Sequence, residues 1–278
     1  MNNTQPILIR HLSILLAFLW RDILNETSYR LSFFLQLLGI LPAVLMFFFL
    51  SRLVENGVSI PLKPYGGSYF PFVLIGIAVQ NYLFVALNSF SAGLRESQLS
   101  GTLEAVLAAP VELPAFLVGS TAYSFVLNSL RILVYLAVGS LLFKVKLDWC
   151  QFPLVLTALT LTIAAFSSLG VFSASFIMLF KKGDPLNWGF NVISWLLGGV
   201  YYPLSILPVW LQKVAFFVPM THSLEALRLS LIGDPASYEI GGHLLALGLW
   251  AGIGLPLSLV LFRYAVDRAR MMGTLGHY

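Results

Sequence analysis

The residues able to do chemistry are few in this chain, and their spacing argues against most reactions. Cys150 is the single cysteine, which excludes an intramolecular disulfide and a cysteine metal cluster. His222 and His243 have no companions at metal-ligand spacing, so both read as interface residues and no metal site is expected. No G-x-x-x-x-G-K-[ST] phosphate loop occurs, so any ATP that drives this protein is bound by another chain. The conspicuous charge is Arg131, deep within an apolar run. A lone cation at that depth costs about 3 kcal/mol on insertion scales. Two readings stay open for it: a side chain that snorkels or pairs within its own subunit, or a cation at an interface or pathway meeting an anionic, lipid-like substrate. The apolar runs hold no aspartate or glutamate, which leaves Glu225 as the intrachain partner for Arg131 if their depths match. The same lack of acids disfavours an ion-coupled secondary transporter, the alternative function, because such carriers place ionisable groups or broken helices at the midplane. A membrane-embedded enzyme would need a cluster of nucleophile, base or metal ligands. No catalytic residues are assigned.

The elements that must position these groups follow from composition. Hydrophobic residues make up 58% of the 278 and charged residues only 10%, against about 25% charged in a soluble domain. Such a chain cannot cover itself with polar groups, so its solvent is lipid. A helix needs roughly 20 mostly apolar residues to cross a hydrocarbon core about 30 Å thick. The net charge of +4 belongs near anionic headgroups, and no nucleic-acid-binding stripe is present. The fold class expected is an all-α integral membrane protein forming one transmembrane domain, 1–278, with membrane lipid as its surroundings.

Six spans are expected, at 31–50, 69–94, 115–143, 152–180, 187–203 and 241–262. Residues 6–27 place Arg10, Ser13, Ala17, Arg21 and Asn25 on one helical stripe opposite Leu12, Leu15, Leu16, Leu19 and Ile23. That pattern suits a helix lying in the membrane interface, with an extension of the first span as the other reading. Residues 204–228 are apolar but short and broken by prolines, and read as a re-entrant hairpin, allowed only where protein or water surrounds it. Aromatic residues Tyr69, Phe70, Tyr201, Tyr202 and Trp210 fit an interfacial belt. Gly248 and Gly252 form a G-x-x-x-G pair suited to close helix packing. Basic residues decide orientation. Arg10, Arg21, Arg30, Arg95, Lys181, Lys182, Arg263, Arg268 and Arg270 fall on the side of the termini, against Arg52, Lys63, Lys144, Lys146, Lys213 and Arg228 on the other. Both termini are therefore expected in the cytoplasm.

Between the second and third spans, residues 95–110 form a short amphipathic helix with Leu99, Leu103, Val106 and Leu107 on one face and Pro110 as its stop. It is too polar to enter lipid and needs a protein surface or the headgroups to cover that face. Both readings, a docking element and a plain connector, are consistent with the pattern.

Here the chain resembles a known family. Arg95-Glu96 followed by Gly101-Thr102-Leu103-Glu104, Leu107 and Pro110 is similar to the coupling segment of permease subunits of type-two ABC exporters (ABC-2). Gly199-Val200-Tyr201-Tyr202-Pro203, then Pro219-Met220-Thr221-His222 and Leu224-Glu225-Ala226-Leu227-Arg228, resembles the family's signature near its fifth span. The tail Arg268-Ala269-Arg270 and Gly273-Thr274-Leu275-Gly276 resembles its basic end. The resemblance implies a permease paired with a second copy of itself or a close relative, and two copies of a separate ABC ATP-binding subunit touching the coupling segment. ATP and magnesium would sit on that subunit, and this chain would bind no cofactor. It also implies a cell inner or plasma membrane location and outward movement of a hydrophobic, lipid-like, drug or glycan-type substrate. Arg131, Tyr201, Tyr202 and Glu225 would line the substrate path or the dimer interface.

Overall fold

The computed structural model describes residues 16–24, 30–54, 61–99, 113–148, 151–180, 185–233 and 239–271. Every regular element among the described residues is helical. In chain order these are α1 (16–24), α2 (Arg30–Leu38), α3 (Ile40–Val54), α4 (Tyr69–Leu99), α5 (Leu113–Phe143), α6 (Phe152–Phe180), α7 (Pro185–Leu197), α8 (Val209–Ala215), α9 (Pro219–Leu231), α10 (Glu239–Leu249) and α11 (Leu255–Met271). Among the described residues, five stretches are long and apolar enough to cross a membrane: Phe34–Val54, Tyr69–Phe90, Leu117–Phe143, Phe152–Phe180 and Glu239–Ala269.

Proline placement explains where these helices depart from regularity. The first span breaks between α2 and α3 at Gly39. Pro42 cannot donate to the carbonyl of Leu38, and its ring crowds that carbonyl, so the break falls one turn before the proline. The last span is longer than the expected 241–262 and passes through a π-helical turn at Trp250–Gly254. Pro256 likewise denies the Gly252 carbonyl a partner, and the wide turn absorbs the misfit. Gly254 at the end of that turn lies against Ser168 of α6: a Cβ there would sit 2.8 Å from Oγ. The expected packing pair behaves otherwise, because a Cβ on Gly248 or Gly252 would meet nothing within 4 Å in this chain.

α4 forms the centre. Its 31 residues extend about 46 Å at 1.5 Å per residue, longer than a hydrocarbon core. The helix therefore continues unbroken past 94 to Leu99, where a separate coupling helix was expected to begin at 95. Within the membrane-length part, 72% of its apolar window is buried, against 11% for the last span and 18% for the first. α4 packs against α5, α6 and α9, and α6 packs against α11. At the α4–α6 crossing, Gly170 lets its backbone approach the Ala86 carbonyl so closely that no Cβ fits. The outer helices turn large apolar side chains away from the core, such as Leu245, Leu249, Ile253, Leu257 and Val260 along α10 and α11. A stripe of that kind suits lipid or a second protein surface.

The fifth expected span, 187–203, is shorter than its pattern implied. α7 ends at Leu197, and Gly199 follows with φ +72. That left-handed conformation favours glycine, and it turns the chain before residues 200–203 could extend the helix. Residues 204–228 then hold a 3-10 turn at Leu204–Ile206, α8 and most of α9. α8 is exposed through Val209, Trp210 and Val214, whereas all 13 residues of α9 are buried.

Candidate functional site

α9 has the composition of a surface helix and the position of a core helix. Thr221, His222, Ser223, Glu225, Arg228 and Ser230 are all buried. Burying polar groups is costly unless each finds a partner. Ser223 donates to the Pro219 carbonyl at 3.0 Å and Ser230 to that of Ala226 at 2.6 Å. Thr221 donates to the Leu197 carbonyl at 3.3 Å, tying α9 to the end of α7.

Arg228 is the most demanding group and has 0% exposure. Its guanidinium donates to three backbone carbonyls: Nε to Phe72 at 3.1 Å, Nη1 to Gly199 at 2.8 Å and Nη2 to Val200 at 2.9 Å. The planar fork can address several acceptors in fixed directions, which a lysine ammonium cannot do. The guanidinium carbon also lies 3.4 Å from the centroid of the Phe72 ring, a cation–π contact. The left-handed Gly199 presents the carbonyls of 199 and 200 side by side. Gly76 on α4 leaves room for them: a Cβ there would collide with the Val200 carbonyl oxygen and lie 2.8 Å from Arg228 Nη2. One arginine thus locks α9, the turn after α7 and the start of α4 into one register.

Glu225, one turn earlier on the same helix, accepts a 2.7 Å hydrogen bond from the Tyr65 hydroxyl. Burial first, then the neighbouring Glu225, pushes the Tyr65 hydroxyl well up.

The flanking aromatics extend this knot. Tyr201 Oη donates to Gln80 Oε1 at 3.1 Å, and Tyr69 donates to the Tyr201 carbonyl at 3.0 Å. The Tyr201 ring stacks on Phe47 with centroids 5.5 Å apart. Tyr202 donates back to the Leu196 carbonyl. Phe70 is buried. Of the aromatics expected in an interfacial belt, Tyr69, Phe70 and Tyr201 therefore serve inward contacts, whereas Trp210 is exposed. His222 and His243 meet at 3.0 Å through their Nδ1 atoms, and His222 Nε2 donates to the Phe216 carbonyl at 2.7 Å. With Nε2 carrying the proton, neutral His222 accepts from His243. The pair clamps α9 to α10.

Arg131 lies apart from this knot. It donates from Nη2 to Gln36 of α2, while its buried Nε has no hydrogen-bond partner. Glu225 is engaged with Tyr65 instead, which overturns the expectation that Glu225 is the partner of Arg131. Of the coupling residues, Arg95 and Glu96 belong to the far end of α4. Gly101, Thr102, Leu103, Glu104, Leu107 and Pro110 lie outside the described residues, as does 6–15 of the amino-terminal helix. Arg228, counted from sequence as a surface charge, proved to be the keystone of the site. A charge three residues after Glu225 on one helix face was the available signal.

Comparison with known proteins agrees with this architecture. The chain is 24% identical over 246 residues to Nodulation protein J of Rhizobium leguminosarum bv. trifolii, covering 88% of this chain and 91% of that protein. It is 25% identical over 217 residues to Nodulation protein J of Neorhizobium galegae, covering 75% of this chain and 79% of that one. The family model for ABC-2 type transporters matches residues 13–232, which run from the amino-terminal helix through the arginine knot of α9. This chain, a multi-pass membrane protein, belongs to the ABC-2 type transporter family.

Proposed function

We propose that the chain is the membrane-spanning permease subunit of an ATP-driven exporter and works as one of a pair. Two copies of a separate ATP-binding subunit dock against segment 95–110, at the end of the bundle where α4 stops and α5 begins. The observation that carries this reading is the family match across 13–232, which includes the whole segment between α4 and α5. ATP and magnesium reside on the partner subunit, and this chain binds neither. Both termini are cytoplasmic, and the membrane is the cell's inner or plasma membrane.

In this reading α7 is the fifth of six spans. Its 13 residues cover only about 20 Å, and the α8–α9 hairpin re-enters from the outer side to complete the thickness. ATP-driven closure of the partner subunits pushes Gly101 to Pro110, including Thr102, Leu103, Glu104 and Leu107. α4 receives the push at its Arg95–Glu96 end as a continuous rod, and its other end carries the arginine knot. Movement between two packed arrangements then opens a path between the paired permeases for a hydrophobic, lipid-like, drug or glycan-type substrate. Tyr201, Tyr202 and Arg131 line that path or the pair's interface.

The test is a mild-detergent pull-down of the tagged chain from its native membrane, with partner identification and an ATPase assay. Copurification of an ATP-binding cassette protein, lost when Gly101 to Glu104 is scrambled at unchanged expression, is the expected result. A chain that purifies alone and moves solute in proteoliposomes under an ion gradient would overturn the proposal.

A further inference from the structure

A cavity of about 550 Å³ opens where α3 and α5 end and α4 begins. Its polar wall carries three cations, Arg52, Lys144 and Lys146, and no aspartate or glutamate among the described residues lines it. Its apolar wall is a cluster of three phenylalanine rings. Phe48 lies 4.3 Å from Phe143 and 5.4 Å from Phe70 by centroid, and Phe70 lies 5.1 Å from Phe143. The Arg52 guanidinium sits 5.3 Å from the Phe48 centroid, so the arginine is steered over the aromatic floor.

The lysines are held in place by backbone geometry. Residues 144–148 follow α5 outside any regular element. Val145 N donates to the Gly139 carbonyl at 3.2 Å, and Asp148 N donates to that of Leu231 at 2.9 Å. Val145 is buried between the two exposed lysines, and Lys144 and Lys146 both line the cavity. Lys144 adopts φ +55, the one positive value for a non-glycine among the described residues. That left-handed residue closes the C-terminus of α5, where the Val145 N–H reaches the Gly139 carbonyl six residues back.

Convergent cations beside an apolar aromatic floor, at the end of membrane-length helices, match an amphiphile with an anionic head. We propose that this cavity binds the phosphate headgroup of an anionic membrane lipid, with Arg52, Lys144 and Lys146 around the phosphate and Phe48, Phe70 and Phe143 against the start of the acyl chains. The proposal needs the membrane setting alone and stands whether or not an ATP-binding partner exists. A zwitterionic lipid is disfavoured because its ammonium group would enter a wall of like charge. Free phosphate is disfavoured because half of the lining would stay dry and empty.

The experiment uses the full chain, delipidated in mild detergent, titrated with phosphatidylglycerol, phosphatidylcholine or glycerol phosphate and read by native mass spectrometry. Saturable retention of phosphatidylglycerol, at least about tenfold tighter than phosphatidylcholine, is expected. Each basic group near a membrane surface contributes about a factor of five, so Arg52→Gln and Lys146→Gln should each weaken retention roughly fivefold. Lys144→Asn should do the same, since asparagine tolerates the left-handed backbone. Arg52→Lys should keep most of the binding. In the unaltered chain, raising the salt concentration should weaken retention, which keeps the test decisive if a variant fails to fold. Equal retention of the two lipids, or an unchanged affinity in the triple neutral variant, would overturn the site. Displacement of phosphatidylglycerol by an equal concentration of glycerol phosphate would overturn the lipid as its source.

Discussion

Removing Arg228 should destabilise the fold more than any other single truncation in α9. The guanidinium holds three backbone carbonyls, those of Phe72, Gly199 and Val200, and opposes the buried charge of Glu225. A hydrogen bond from a charged donor contributes about 1.5–3 kcal/mol, and losing the cation also leaves the buried Glu225 without a compensating charge nearby. These terms overlap, and Glu225 can escape part of the penalty by taking up a proton. About 4 kcal/mol is therefore expected for Arg228→Ala, and about half of that for Arg228→Lys, whose ammonium cannot reach all three carbonyls in their fixed directions. A protein of this size shifts its melting temperature by about 2–4 °C per kcal/mol. Thermal unfolding of the detergent-purified chain, followed by tryptophan fluorescence, should fall by roughly 8–16 °C for alanine and half as much for lysine. Adding Glu225→Gln to Arg228→Ala should restore part of the loss, because the two residues share one network. Both single variants melting within about 2 °C of the parent would refute the knot as a source of stability.

Other substitutions probe separate parts of the same structure. Gly76→Ala should cost about 2–3 kcal/mol, read as a lowered melting temperature, since its methyl group would collide with the Val200 carbonyl and crowd Arg228 Nη2; an unchanged melt would mean the turn after α7 yields freely. Arg131→Ala should lower transport several-fold at nearly unchanged yield, roughly within twofold, because the residue bonds Gln36 and lies outside the arginine knot; wild-type transport would remove Arg131 from the pathway.

The spans were readable in the sequence because lipid imposes one rule, length of apolar run, on every helix that crosses it. Residues 152–180 were read to the residue, and 115–143 to within two at its start. Errors arose where a backbone exception overrides the apolar pattern. Gly199 ends α7 although Val200, Tyr201 and Tyr202 continue the hydrophobic run. Leu99 lies in α4 although polar residues begin at Arg95, because a helix leaving the membrane need not stop at its surface.

The knot was harder to foresee for a different reason. The carbonyls that hold Arg228 lie 156, 29 and 28 residues away in sequence. They are backbone groups, so no side-chain type at those positions announces them. A count of charges by loop treats such an arginine as solvated, which is the ordinary fate of a loop cation. Only a fold that buries all of α9 turns it into a structural centre.

That burial bears on how the proposed machine could move. The α9 helix is joined to the turn after α7 and to α4 by directional bonds, and such bonds do not stretch gradually; they hold or they break. These three elements therefore form one body during any change that leaves the knot intact, and α4 extends that body to Leu99, next to the expected coupling segment. The first and last spans, 18% and 11% buried, carry far less of the core. Sliding surfaces belong there, where apolar contacts can be exchanged without leaving a polar group unpaired. On the proposed reading, a push delivered at the end of α4 is thus transmitted to α9 without loss, and the path opens against the weakly buried outer helices or the second permease. The arginine serves by not moving.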